Sequence, residues 1–263
     1  MNSAEKTVKI VVLGDSIAEG LGVKNASYGE LLCAELIATG RPASLLNLAH
    51  TGYQISDSLK LTEKMIEGNP DIVIISHGIT EALIRPKQKA MRFVPRRWRQ
   101  KGWLDPRPYF SRKPFKRLYQ KMESALRWRW KVFLIRVAGG EAWMAQSEFE
   151  KNLSELLYIA LNKTSAVIIL MTPPELDEKF FPGSPQSLQN YRNCLCQTVM
   201  TLQETKRVLV CDIANDLEKW GDFFDDHFHP NTKGHAKIAA KLGSFIKWEL
   251  GQDYASLNRN TNS

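Results

Sequence analysis

Thr7-Val8-Lys9-Ile10-Val11-Val12-Leu13-Gly14-Asp15-Ser16 runs from an apolar stretch into a tight Gly-Asp-Ser turn. β-branched residues with little polar interruption predict a strand buried on both faces. Similar runs predict strands at about 43–49, 71–76, 165–171 and 207–212. Helical patterns fall between them, near 28–39, 54–68, 147–162, 186–205 and 232–250. This alternation predicts a three-layer α/β/α domain built on a five-stranded parallel sheet. Ligands of such sheets bind beyond the carboxyl ends of the strands. Ser16 follows the first strand, Gly52 the second, and Ser76–Glu81 the third, so these segments are expected to share one site.

The 263 residues, 43% of them hydrophobic, suffice for a substantial core in one large domain. Residues 1–6 lack the apolar stretch of a signal peptide. No apolar run reaches the ~18–20 residues that span a bilayer. Cys33, Cys194, Cys196 and Cys211 show neither metal-ligand nor disulfide-framework spacing, which suits a reducing cytoplasm.

The formal net charge of +8 is unevenly spread. Residues 85–136 hold 18 Lys/Arg against Asp105 and Glu123, while the rest holds 18 bases against 26 acids. Pro86, Pro95, Pro106, Pro108 and Pro114 argue against regular structure in the first half of this segment. Leu118, Met122, Leu126, Trp130, Phe133 and Val137 then recur at helical spacing among Lys and Arg, predicting a basic amphipathic helix. Ten aromatics interleave with the bases. Four readings fit this composition: stems packed on the body with solvated charges, an anionic membrane contact, recognition of an anionic substrate, and, ranked last, nucleic-acid binding. The segment emerges just after the third strand's loop, where it can wall or cover Ser16. The expected division is therefore 1–84 with 146–252 as the main domain, 85–145 as an insertion, and 253–263 as a polar tail.

Asp226-His227-Phe228-His229-Pro230-Asn231 lies near the other end of the chain. A serine hydroxyl needs a base to take its proton during attack, and an imidazole titrates in the right range. A carboxylate three residues away can fix its tautomer. Together these residues resemble the SGNH, or GDSL-type, hydrolase family. Gly14-Asp15-Ser16 looks like its first block, Asn47-Leu48-Ala49-His50-Thr51-Gly52 its second, and Asp226-x-x-His229-Pro-Asn its last. The resemblance covers about 7–84 and 147–250 and implies a flavodoxin-like fold with Ser16 as nucleophile, His229 as base and Asp226 as its orienter. It also implies an oxyanion hole from the Ser16 and Gly52 N–H groups. The third block departs: relatives read Gly-x-Asn-Asp where this chain has Gly78-Ile79-Thr80-Glu81, so either Thr80 or a nearby group supplies the third donor, or the substrate is more activated, or activity is modest.

The implied activity is an acyl or acetyl esterase working through an acyl-enzyme on an acylated saccharide or a lipid-linked anionic substrate. O-acyl transfer by the same triad is the nearest alternative. A weakly active module that binds membrane or anionic polymer through 85–136 is the alternative of another class. Asp15, His50, His77 and Glu81 flank the site as candidate substrate contacts. Bland roles stand beside these: Ser16 or Glu81 capping a helix, Gly52 as a left-handed loop residue, Asp15 bracing its turn. Asp225, Asp226, His227 and His229 would be the candidate ligands if the loop bound a metal. No cofactor or metal is expected. The expected location is cytoplasmic, with a peripheral contact at the inner membrane face as one reading.

Overall fold

The structure, a computed structural model, describes residues 6–99, 105, 106, 108, 113–202 and 206–257. Five parallel strands form the central sheet: β1 (Val8–Gly14), β2 (Ala43–Asn47), β3 (Ile72–Ser76), β6 (Val167–Met171) and β7 (Val208–Cys211), in the order β2-β1-β3-β6-β7. Ile10, Val11, Val12 and Leu13 and all of β3 are buried, whereas edge strand β2 alternates in exposure. The direction of winding reverses once, after β2, so right-handed crossovers put helices on both faces.

The helices of the main body are α1 (Ser16–Glu19), α2 (Tyr28–Ala38), α3 (Ile55–Leu59), α4 (Thr62–Glu67), α5 (Ile79–Ala82), α7 (Gln146–Lys163), α8 (Ser184–Thr201) and α9 (Thr232–Leu257). Helix α2 packs on α9, while α7 packs on α3, α4 and α8. The single helix expected over 54–68 is two, because Thr62 Oγ1 donates to the Leu59 carbonyl and the turn at Lys60 tightens to three-residue bonds. Helix α8 begins two residues earlier than expected, with Pro185 in its first turn where no N–H is needed. Helix α9 continues through Gly251 to Leu257, so residues 253–257 of the expected tail are helical. One glycine costs a helix only about 1 kcal/mol relative to Ala, too little to stop it here.

Between α5 and α7 the chain forms β4 (Arg85–Pro86), two short 3-10 turns at Gln88–Phe93 and Arg96–Trp98, α6 (Pro114–Ala138) and β5 (Gly140–Glu141). Strands β4 and β5 pair antiparallel and close the base of this segment. The apolar stripe of α6 faces outward: Leu118, Met122, Leu126, Trp130, Phe133 and Val137 are exposed, while the inward face mixes Val132, Leu134 and Ile135 with the buried bases Arg127 and Lys131. Asp105 accounts in part for the buried bases: Arg85 grips it at 2.9 and 3.0 Å, and the Lys131 Nζ lies 3.6 Å away. Burial nonetheless pushes the Lys131 ammonium down to about 8.

His235, at the start of α9, is fully buried, and its Nδ1 accepts the Tyr28 N–H at 3.2 Å, which ties α9 to the first turn of α2. Burial, aided by repulsion from His229, lowers the His235 imidazole to about 4. The unfolded chain takes up this proton near pH 6.5 and the folded one near 4, so stability is full above 6.5 and falls across that window. We expect His235 to account for up to about 3 kcal/mol of acid destabilisation. Denaturant titrations of wild type and His235→Gln across the window should show a shallower acid slope for the variant.

Candidate active site

Strand β1 delivers Ser16 to the first position of α1. Gly14 allows this because a Cβ there would lie 2.5 Å from the Ala18 Cβ and 2.7 Å from the Ser76 carbonyl oxygen. Asp15 caps the short helix, its Oδ1 accepting the Ile17 N–H at 2.9 Å. Ser16 Oγ then lies 2.8 Å from His229 Nε2, and His229 Nδ1 lies 2.7 Å from Asp226 Oδ2. Asp226 Oδ1 accepts the N–H groups of Phe228 and His229 at 3.0 and 3.1 Å, locking the Asp-x-x-His turn onto itself. His227 takes the left-handed conformation (φ 53°) that folds this turn, and its ring stacks on Phe180 at 4.0 Å. Asn231 anchors the start of α9: its Oδ1 caps the helix through the Lys233 and Gly234 N–H groups, and its Nδ2 donates to the Gly221 and Phe223 carbonyls.

Gly52 is left-handed at φ 78°, in a loop braced by Asn47, the first residue of the second block, and by Glu19, which no motif marks. Asn47 Nδ2 donates to the Ala18 carbonyl at 2.9 Å, and its Oδ1 accepts the Ala49 N–H. Glu19 Oε2 accepts the Thr51 N–H at 2.6 Å, and its Oε1 meets His50 Nδ1 at 3.1 Å. Among the described residues, neither the Ser16 nor the Gly52 N–H is used by another protein group. An amide that spends its proton on no other group is free to donate to a ligand.

The third block is built differently from the expectation. Thr80 donates its one hydroxyl proton to Asp15 Oδ2 at 2.9 Å, so that proton is already committed within the scaffold. Glu81 is fully buried and accepts the Ile55 and Gly78 N–H groups at 2.6 and 2.9 Å, joining the starts of α3 and α5. These bonds and His77 hold its carboxyl below the usual range despite burial. Burial pushes the Asp15 carboxyl up. Asp15, His77 and Glu81 are buried and spend polar atoms on the scaffold, Asp15 on Ile17 and Thr80, His77 Nε2 on Ser58, Glu81 on Ile55 and Gly78; of the four candidate contacts His50 is the exposed one.

Ser58 Oγ, His77 Nε2 and Glu81 make a second serine–histidine–carboxylate line, with Ser58 Oγ 2.7 Å from Nε2 and His77 Nδ1 3.4 Å from Glu81. Ser58 has no solvent exposure, so this line braces the core rather than meeting substrate. The metal alternative finds no ligand set: among the described residues no group of three or more His, Cys, Asp or Glu is arranged to hold an ion. Asp226 and His229 engage each other, His227 stacks on Phe180, and Asp225 meets Lys121 at 2.9 Å.

Replacing Thr80 by Val separates a brace from a donor. The buried Asp15 carboxyl would lose a partner, with an expected loss of about 1–3 kcal/mol of stability. Turnover should fall less than about tenfold, whereas deleting an oxyanion donor costs about 100- to 1,000-fold. Denaturant unfolding and kcat on one preparation give both readings.

The segment around α6 reaches this site from one side. Trp128 Nε1 donates to the Phe180 carbonyl, and a Cβ on Gly22 would lie 3.0 Å from Pro108. A cavity of about 270 Å³ opens between α6 and the Asp226 turn, lined among others by Arg127, Trp128, Lys131, Phe180, Asp226 and His227.

The family model for GDSL-like lipases and acylhydrolases matches residues 12–237. No curated protein matches the chain by sequence. Solved structures share its fold. A lipase/acylhydrolase from Enterococcus faecalis is 17% identical with a TM-score of 0.59, covering 91% of this chain and 95% of that one. An acetylxylan esterase from Geobacillus stearothermophilus is 19% identical with a TM-score of 0.57, covering 95% and 97%. An alpha/beta hydrolase enzyme from the metagenome of Lake Arreo is 19% identical with a TM-score of 0.58, covering 92% and 94%.

Proposed function

The chain belongs to the GDSL-like lipase/acylhydrolase family, whose members cleave esters, and we propose that it does so through Ser16, His229 and Asp226. The observation that carries this reading is the unbroken line from Ser16 Oγ through His229 to Asp226, at 2.8 and 2.7 Å. Ser16 Oγ attacks the ester carbonyl as its proton passes to His229 Nε2, and Asp226 steadies the imidazolium through Nδ1–H. The Ser16 and Gly52 N–H groups receive the oxyanion. His229 then protonates the departing alcohol, and water activated by the same imidazole frees the acid from the acyl-enzyme.

For substrate we propose an acylated saccharide or a lipid-linked anionic ester. Two features favour it. Structures of the same fold include acetylxylan esterases, and the cavity that borders Asp226 sets Arg127 and Lys131 beside Asp105, polar partners for a sugar or an anionic group. Residues 85–145 act in this reading as an insertion that walls the site. Cys33, Cys194, Cys196 and Cys211 are free thiols, which fits a cytoplasmic enzyme.

Incubation with acetylated xylo-oligosaccharides and with p-nitrophenyl acetate, with free acid and acyl-sugar products separated, tests the reading. Acid release by wild type and none by Ser16→Ala is expected. Acyl groups moved onto an added sugar in place of water would make the enzyme a transferase, and hydrolysis surviving in Ser16→Ala would reject Ser16 as nucleophile.

A further inference from the structure

The outward face of α6 is apolar where a soluble helix is normally polar. Phe115, Leu118, Tyr119, Met122, Leu126, Trp130, Phe133 and Val137 are between 38% and 89% exposed. Their helical spacing puts them on one stripe, which from Phe115 to Val137 at ~1.5 Å per residue is about 33 Å long. Scattered exposed hydrophobics need no explanation, but a continuous stripe of this size marks a contact surface.

The charge around the stripe selects its partner. Lys116, Arg117, Arg129 and Arg136 are exposed on the same helix, and Glu123 is its only acid. Arg129 follows Leu126 by three residues and Arg136 follows Phe133 by three, so both run along one border of the stripe; Lys116 stands at the other. Long basic side chains beside an apolar face can lay their stems along acyl chains while their heads meet phosphate. Trp130, with Phe133 edge-on to it at 5.8 Å, supplies the aromatic body suited to the headgroup boundary. Among the described residues no helix is long and apolar enough to cross a membrane, so such a contact lies on the surface. A second groove of about 440 Å³ beside the stripe, lined among others by Trp98, Tyr119, Met122, Leu126 and Arg129, adds apolar depth to the same face.

We propose that this face of α6 docks on an anionic lipid surface, holding the enzyme at the membrane without spanning it. The opposite side of the same helix lines the cavity that borders Asp226 and His227, so docking keeps the site within one helix diameter of the lipid. The docking itself does not depend on which residue is the nucleophile.

The test is sedimentation of the full chain with phosphatidylcholine vesicles, with and without phosphatidylglycerol, over a range of salt. Binding should rise at least about tenfold with the anionic lipid and fall as salt rises. Leu118→Ser/Met122→Ser/Phe133→Ser should lose at least about tenfold in partitioning while keeping its melting temperature and its hydrolysis of p-nitrophenyl acetate. Ser16→Ala should sediment like wild type, which separates docking from catalysis. Brominated lipid mixed into the anionic vesicles should quench the tryptophan emission of wild type, and less so that of Trp130→Phe. A folded wild type that stays in the supernatant with anionic vesicles overturns the proposal. So does a dimer in solution that the triple substitution dissociates while vesicle binding is absent, since the stripe would then join two copies.

Discussion

His229→Ala is expected to lower kcat/KM toward a soluble ester by about four to six orders of magnitude. The serine hydroxyl is a poor nucleophile while it keeps its proton, and among the described residues His229 Nε2 is the nitrogen that meets Ser16 Oγ, at 2.8 Å. The residual rate would be what the Ser16 and Gly52 amides and simple positioning supply. The turn should survive the change, because Asp226 Oδ1 keeps the backbone N–H groups of residues 228 and 229 as donors. Steady-state kinetics beside a melting curve therefore separates lost chemistry from lost structure. A fall of tenfold or less in a folded variant would mean that another base serves Ser16.

Asp226→Asn should cost nearly as much, about 10,000-fold, although it changes one atom in the turn. The two backbone donors at Asp226 Oδ1 fix the orientation of the replacement: they need an oxygen there, which turns the amide nitrogen toward His229 Nδ1. That nitrogen donates, so Nδ1 must accept, and the ring proton moves to Nε2. An Nε2 that already carries a proton cannot take one from Ser16. Asp226→Ala, which leaves the ring free to choose its tautomer, should be no worse than Asp226→Asn. Measuring kcat/KM for both variants checks this, and near-normal turnover in Asp226→Asn would leave Asp226 as only a turn brace.

The five strands and their parallel arrangement are legible because each shows its own apolar run separated from the next by a helical pattern, while the order β2-β1-β3-β6-β7 is set by pairings that no single run contains. Ser16 and Gly52 are legible as positions because each follows a strand, and Asp226 and His229 because their Asp-x-x-His spacing puts a carboxylate and an imidazole within one turn of chain. Their partners are less so. Glu19 and Asn47 brace the Gly52 loop through bonds between the first and second blocks, and no local spacing announces a contact 31 residues apart. His77 and Glu81 follow β3, where substrate contacts are expected, yet the α3–α5 junction buries both and Glu81 caps α5, the alternative its position also offers. Thr80 looks like a displaced oxyanion donor until its bond to Asp15 is seen.

The basic segment was the hardest to read. Periodicity correctly marks α6 as amphipathic, but it cannot say which face turns inward. A helix usually buries its apolar stripe. Here Arg85 and Asp105 make a polar seat for Lys131, and Trp128 bonds to the Phe180 carbonyl, so the mixed face turns in. That outcome depends on contacts 20 and more residues away, which no window of sequence contains.

The role of Ser16 as nucleophile is tested most directly by treating the folded protein with a fluorophosphonate and locating the adduct by peptide mass spectrometry. One adduct is predicted, on Ser16, lost in Ser16→Ala and strongly slowed in His229→Ala. An adduct on any other residue, or an unlabelled wild type that still hydrolyses esters, would contradict that role.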